Sequence, residues 1–173
     1  MLLHLAGMEL SGLEKYCGAN LGGLKTIQYA PIHWINASIL IDLVTDENNF
    51  LYTIPFSTGS WLSLPIMPSE DIWIENNNLA PSSPTFTQEI TTIVPKLRPE
   101  ASIELEAMSN MRFIVRLTDK HDQEWLIGDP RVGLSFNYRA TSGSTNGLNS
   151  YSIGFSGITG RPSPGYNPSY TPS

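Results

Sequence analysis

Hydrophobic and polar residues alternate along much of the chain, which is the pattern of strands that bury one face. Leu24–Ala30 alternates in this way and is ended by Pro31. Other segments alternate or are rich in β-branched and aromatic residues, as strands are. These segments cover residues 34–44, 50–56, 61–64, 71–75, 86–94, 111–118, 124–128, 132–138 and 149–155. The pattern predicts about eight to ten strands.

One segment has a different period. Residues 100–110 place Ile103, Leu105 and Met108 among glutamates and alanines, which favours a short helix. The polar residues 119–122 separate two strongly patterned strands and predict a tight hairpin. A second hairpin is predicted around the loop at 141–147, which is rich in serine, glycine and asparagine.

The composition favours a β protein over a helical bundle. Serine, threonine and asparagine make up 44 of the 173 residues, and there are 14 glycines and 13 prolines. We predict a mainly β fold: an antiparallel β-sandwich or β-barrel of about eight to ten strands, with one short helix and extended N- and C-terminal arms. The arms are residues 1–20 and 158–173, and the domain between them is residues 21–157.

Two segments outside the regular pattern are candidates for contacts with a partner. Residues 57–84 form a long, proline-interrupted extension of the domain, and its two tryptophans need a surface to cover. Four prolines within residues 161–172 hold the C-terminal arm extended and without ladder hydrogen bonds, so that it is either a loose terminus or an arm lying on a neighbouring subunit. The predicted assembly interface consists of Trp61, Leu64, Trp73, Tyr166 and Tyr170.

Charge is distributed unevenly along an acidic chain with a net charge of −6. Residues 1–130 carry 7 basic and 16 acidic side chains, whereas residues 131–173 carry three arginines and no carboxylate side chain. An acidic body with a basic end permits head-to-tail contact between copies, and the alternative is chance variation in a weakly charged chain. The overall acidity argues against a protein that wraps nucleic acid.

Residues that could carry chemistry are sparse. Cys17 is the only cysteine, so a single chain cannot form a disulfide or a cysteine-based zinc site. Residues 119–124 are acidic and include His121, but they lack the glycine and the spacing of a calcium loop, which favours a solvated turn. No Gly-x-Ser-x-Gly nucleophile motif occurs. We therefore expect no enzyme, with no catalytic, cofactor-binding or metal-binding residue and no cofactor.

Two alternatives stay open on the sequence alone. A carbohydrate- or surface-binding β-sandwich module would use Trp61 and Trp73 to stack against sugar rings. A metal-dependent enzyme, the weaker alternative, would use His33 or His121. The chain has no apolar stretch of about 18 residues and its first residues do not resemble a signal peptide, so we expect no membrane partner.

The order of several sequence features resembles a known class of proteins. Gly22–Tyr29 reads Gly-Gly-Leu-Lys-Thr-Ile-Gln-Tyr, and a proline-bounded middle section follows. Met111–Gly128 reads Met-Arg-Phe-Ile-Val-Arg-Leu-Thr-Asp-Lys-His-Asp-Gln-Glu-Trp-Leu-Ile-Gly and precedes the hairpin with the polar loop. Across residues 20–157 the chain resembles small structural proteins of tailed bacteriophages of Bacteroidetes-type hosts, most of all tail-tube or tail-associated proteins.

This resemblance implies a β-sandwich or barrel flanked by a helix, in subunits that pair their sheets into rings and stack into a tube. The expected partners are copies of the chain and other tail proteins, and DNA would pass non-specifically through the lumen. The protein would be made in the host cytoplasm and reside in the virion. The sequence thus predicts a structural tail subunit that assembles through β-edges, residues 57–84 and the terminal arms.

Overall fold

The computed structural model describes residues 22–36, 50–51, 54–67, 71–78, 83–143, 147 and 149–166. The predicted N-terminal arm, most of the strand predicted at 34–44, and Tyr170 lie outside the described residues. The described residues are mainly β with one α-helix, as the sequence predicts. Its strands and helix are β1 Leu24–Pro31, β2 Phe50–Leu51, β3 Leu62–Leu64, β4 Ile72–Asn78, β5 Thr85–Pro95, α1 Pro99–Met108, β6 Arg112–Asp119, β7 Glu124–Ile127, β8 Leu134–Thr141, β9 Ser150–Thr159 and β10 Gly165–Tyr166.

Most of the predicted elements are confirmed, and one begins differently. Ile32–Trp34 is a single 3-10 turn, whereas the sequence predicts that a strand starts at Trp34. Pro31 ends β1 and precedes this turn, after which Ile35 forms an isolated bridge with Phe56. The turn therefore reverses the chain, so that the backbone beyond Trp34 meets residues 55–57.

The strands form one sheet that divides at β6. One edge of β6 pairs with β1, while its other edge is shared between β8 at Arg112–Phe113 and β7 at Val115–Thr118. The main path runs β2-β10-β7-β6-β8-β9-β5-β4, and β3 continues from β1. The sheet is not closed into a barrel, so the barrel alternative is wrong. Among the described strands, β3 and β4 end the sheet without pairing to each other.

Two layers face each other because the sheet bends where it divides. We call β3, β1, β6, β7, β10 and β2 the β6 layer, and β8, β9, β5 and β4 the β9 layer. Aromatic rings join them: the Phe155 ring of β9 lies 6.2 Å from the Tyr29 ring of β1 and 5.8 Å from the Phe113 ring of β6. This packing between layers forms the main hydrophobic core, as in a sandwich.

The helix covers one side of this core. Leu105 and Met108 of α1 are buried in the main cluster. The hydroxyl of Tyr151 fixes the start of α1, because it donates a hydrogen bond to the Arg98 carbonyl oxygen at 2.9 Å and contacts the Ser102 hydroxyl at 2.6 Å. The helix is thereby tied to β9, on the inner side of the β9 layer.

Candidate functional site

The outward face of the β9 layer, which we call the β9 face, is the most distinctive exposed surface among the described residues. Alternation sends every second residue of its four strands outward. Three of these residues are strongly exposed isoleucines: Ile72 at 54%, Ile74 at 44% and Ile158 at 63%. Most of the others are small or polar residues, such as Ser152 and Ser156. The face is therefore partly apolar and rich in hydroxyl groups.

The β9 face carries very little charge. Its charged side chains are Glu89 on β5, Arg139 on β8 and, where β6 joins β8, Arg112, whose guanidinium donates a hydrogen bond to the outward-facing Ser135 hydroxyl. None of the three forms an ion pair with another described residue. The register places Glu89 opposite Ser156 and Arg139 opposite Ser152, so Gly154 lies midway between the two charges on β9. A charge-poor, apolar surface is the kind that protein interfaces bury at their centre.

The opposite outer surface is covered by the chain itself. A second hydrophobic cluster packs on the outward side of the β6 layer, where Ile114 and Leu126 meet Ile35 and Ile54. Trp61 and Phe56 pack against this cluster at its margin. The outer face of the β6 layer is therefore covered by apolar residues of the chain itself. None of the described residues covers the β9 face in this way.

The segment at 57–84 supplies two edges of the sheet. It contains β3, which pairs with β1, and β4, which pairs with β5. The strands predicted near 61–64 and 71–75 are thereby confirmed. The outer edge of β4 has no partner strand among the described residues. Edge strands of this kind offer unpaired backbone groups to other chains.

The structure places the predicted interface residues mostly inside the chain. Leu64 is buried in the main core, and Trp61 packs edge-on against Phe56 with ring centroids 5.4 Å apart. Trp73 points inward from β4, where its ring lies 5.3 Å from that of Trp125. Four of the five predicted residues are described, and they share no common exposed surface. Whether any of them meets a partner stays a prediction.

Tyr166 belongs to β10, which inserts between β2 and β7. It is buried in the second cluster, and burial raises the pKa of its phenol. The guanidinium of Arg116 lies 5.0 Å from the centre of this ring and holds Glu124 in a salt bridge at 2.7 Å. For this segment the sequence predicts an extended arm without ladder hydrogen bonds. That prediction is wrong at Gly165–Tyr166, because these two residues form a strand that pairs with β7.

A buried polar cluster holds residues 160–166, which we call the C-terminal strap, against the β9 layer. The amide nitrogen of Gln88 donates to the Ser163 hydroxyl at 2.8 Å and to a Glu75 carboxylate oxygen at 2.9 Å. The same Glu75 oxygen accepts the Ser163 backbone N–H at 2.8 Å, and the Gln88 carbonyl accepts the Gly128 N–H at 2.9 Å. Gln88 therefore links β5 to the strap and to the end of β7.

Replacing Gln88 with leucine is expected to destabilise the protein by about 2 kcal/mol, because the Gly128 N–H and the Ser163 hydroxyl lose buried partners. Urea unfolding followed by tryptophan fluorescence measures the loss. Limited chymotrypsin digestion is expected to cut the variant faster at Tyr166, a buried residue of the strap. Gln123→Leu in the exposed hairpin turn is the control. Equal stability and equal digestion of the two variants would contradict this role of Gln88.

The charged C-terminal region does not form a free basic end. Arg131 is held by Asp129 through bonds at 2.7 and 3.0 Å, and these bonds keep the pKa of Asp129 below its usual value. Arg161 acts on the same carboxylate electrostatically. Arg139 alone among the three arginines points from the β9 face. Head-to-tail contact between copies stays a prediction. Of the three arginines that this contact would use, Arg131 is already paired with Asp129 within the chain.

The residues considered for metal chemistry lie on separate turns. His33 is exposed in the 3-10 turn, and His121 is in the β6–β7 turn, where the Asp119 carboxylate accepts the His121 and Gln123 N–H groups at 2.8 and 2.9 Å. The described residues contain no group of three or more histidine, cysteine, aspartate or glutamate side chains placed to hold a metal ion. No helix among them is long and apolar enough to cross a membrane.

Comparison with known proteins adds no relative. No family model, no curated protein and no solved structure matches this chain. The likeness to phage tail proteins therefore stays a prediction from the order of sequence features.

Proposed function

We propose that this chain is a structural subunit of a tailed-phage particle, in the tail or tail tube, which acts by binding copies of itself and neighbouring tail proteins. It carries out no chemical reaction in this role. The observation that carries the proposal is the β9 face with the open edge of β4 beside it, since an apolar, charge-poor face next to unpaired backbone groups suits association.

The sequence suggests that the segment at 57–84 contacts a partner through its large side chains, whereas in this proposal it contributes strands at two edges of the sheet. It provides the edge strands β3 and β4, and its Leu64 and Trp73 side chains pack in or against the main core. Its backbone edges, rather than its large side chains, are the groups available to a neighbour. Deleting the whole segment would remove core residues, so it would not separate assembly from folding.

The test is the assembly state of the purified protein. Light scattering across a wide concentration range, with negative-stain microscopy of the largest species, is expected to show oligomers and, at high concentration, rings or short tubes. Adding the protein to a tail preparation lacking it is expected to restore tube formation. A chain that stays monomeric and is absent from purified particles by mass spectrometry would overturn the proposal.

A further inference from the structure

We propose that the C-terminal strap of one copy binds a second copy in the place where it binds its own chain in this structure, so that copies are joined by exchanging their straps. The residues that hold the strap, which we call the socket, are Trp61, Glu75, Gln88, Arg116 and Leu126. The inference rests on the proposed function, because it names the segment and the site through which copies bind one another.

The socket binds the strap as a short extended peptide. A Glu75 carboxylate oxygen accepts hydrogen bonds from the Ser163 N–H, at 2.8 Å, and from the Ser163 hydroxyl. The Leu126 N–H donates to the Pro164 carbonyl oxygen at 3.0 Å, and Gly165 then pairs with β7 as an added antiparallel strand. An extended peptide that adds a strand to the edge of a sheet is a recurring mode of recognition between chains.

Tyr166 is the apolar anchor of the strap. Its ring lies 6.2 Å from the Trp61 ring and 5.0 Å from the guanidinium of Arg116, and it is buried in the second hydrophobic cluster. Aromatic side chains buried in this way are the usual energetic centre of a protein interface. The socket thus combines polar recognition of Ser163 with an apolar site for Tyr166. Because every copy carries the same strap, the socket of a neighbour fits it equally well.

The chain turns back on itself between β9 and the strap. Thr159 ends β9 beside the second residue of β5, whereas Ser163 bonds to Gln88, the fourth residue of β5. A straight continuation of β9 would instead carry Ser163 about 13 Å beyond Thr159. The turn consists of the exposed Gly160 and Arg161, and the Arg161 carbonyl oxygen accepts the Thr159 hydroxyl at 2.7 Å. Straightening this turn takes the strap away from its own socket and towards that of a neighbour.

The composition of the strap lowers the free-energy cost of exchange. Pro162 and Pro164 fix their φ angles and hold the strap extended, so it keeps its shape when it leaves the socket. Its strand β10 has two residues and pairs with β7 at Gly165, so few ladder bonds have to break. The same contacts form again in the second copy. The closed and exchanged forms therefore differ mainly in the turn at 159–161 and in the entropy of association.

Exchange of this kind depends on the protein concentration. The short turn keeps each strap at a millimolar effective concentration near its own socket, so the closed monomer prevails in dilute solution. At the high local concentration of an assembling particle, the sockets of neighbours compete for the strap. Reciprocal exchange between two copies produces a dimer, and exchange passed from copy to copy produces a ring. The strap thereby links the folding of one chain to the assembly of several.

Two variants of the turn test the exchange without altering the strap contacts or the socket. Arg161→Pro opposes the reversal, because proline fixes its own φ and biases the residue before it towards an extended conformation. Sedimentation velocity at sub-millimolar concentration is expected to show an association constant about tenfold higher than that of the unmodified chain. Arg161→Gly removes the same charge but leaves the turn free, so it is the control and is expected to give no increase. Equal association of the two variants would overturn the inference.

A photocross-linker at the anchor identifies the chain whose socket each strap occupies. Chains in which Tyr166 is replaced by p-benzoylphenylalanine are mixed with unmodified chains labelled with heavy isotopes, concentrated, irradiated and digested. Exchange is expected to join an unlabelled strap peptide to a labelled peptide that contains Ile114 or Leu126, the neighbours of Tyr166 in its cluster. Dilution before irradiation is expected to restore cross-links within single chains. Cross-links confined to single chains at every concentration would overturn the inference.

The outcomes for this inference and for the proposed function can be told apart. Rings or tubes in which every strap cross-links to its own chain would overturn the exchange and leave the tail-subunit proposal standing. Oligomers with cross-links between labelled and unlabelled chains, formed by a chain that is absent from purified phage particles, would support the exchange and contradict the tail-subunit proposal.

Discussion

Phe155→Ala is expected to lower the free energy of unfolding by about 4 kcal/mol, the largest effect of any single truncation considered for this protein. Phe155 is 0% exposed, and its ring lies 5.2 Å from that of Phe136 within the β9 layer. It also meets Tyr29 and Phe113 of the β6 layer. Truncation therefore opens a cavity where the two layers meet, and the stiff sheets on either side cannot close it.

Urea unfolding monitored by far-UV circular dichroism measures this loss, with Ile103→Ala on the exposed side of α1 as the control at under about 0.5 kcal/mol. If the alanine variant does not fold, Phe155→Leu is expected to fold with a smaller loss of about 1–2 kcal/mol. A loss below about 1 kcal/mol for the alanine variant would mean that the layers do not pack through this ring.

Local patterning was sufficient to predict most of the strands. Leu24–Ala30 was predicted from its alternation and residues 86–94 from their content of β-branched and aromatic residues, and both predictions lie within about two residues of the observed ends. The helix at Pro99–Met108 was predicted for the same reason, from a change of period. These signals lie within single segments and need no knowledge of the partner strand.

Pairings between distant segments could not be predicted in this way. The division of the sheet at β6 depends on Arg112–Phe113 pairing with β8 while the rest of that edge pairs with β7. The strap forms a strand because Gln88 and Glu75, more than 70 residues earlier, hold Ser163 in place. Its proline-rich sequence gives no periodic signal, so the sequence predicted an extended arm without ladder hydrogen bonds rather than a strand of this sheet.

The candidate site was not predicted, because large aromatic side chains give the strongest sequence signal for an exposed binding surface and this site contains none of them. Trp61 and Trp73 are prominent in the sequence, yet they pack within the chain. The β9 face is instead formed by small, polar and isoleucine residues on four strands, and these residues come together on one surface only through the β4–β5–β9–β8 register. The exposed isoleucines of β4 were the one available signal, since alternation alone sets Ile72 and Ile74 on the side opposite Trp73.

Gly133→Ala is expected to cost about 3 kcal/mol, the second large effect, because it combines backbone strain with a steric clash. Gly133 has a φ of +70°, and a Cβ atom there would lie 2.8 Å from the Arg112 Cβ and 2.9 Å from the Ile32 Cγ2. Its N–H donates to the Asp129 carbonyl oxygen at 2.7 Å in the turn that leads into β8, next to the point where the sheet divides.

To relieve that clash, β8 would have to move away from β6. The substitution therefore weakens the β6–β8 pairing, which joins the two layers. Urea unfolding compares Gly133→Ala with Gly160→Ala, where a Cβ atom meets nothing within 4 Å and φ is not positive. The control is expected to change stability by less than about 0.5 kcal/mol. Equal stability of the two variants would contradict the turn geometry, and with it the way the β6 and β9 layers are joined.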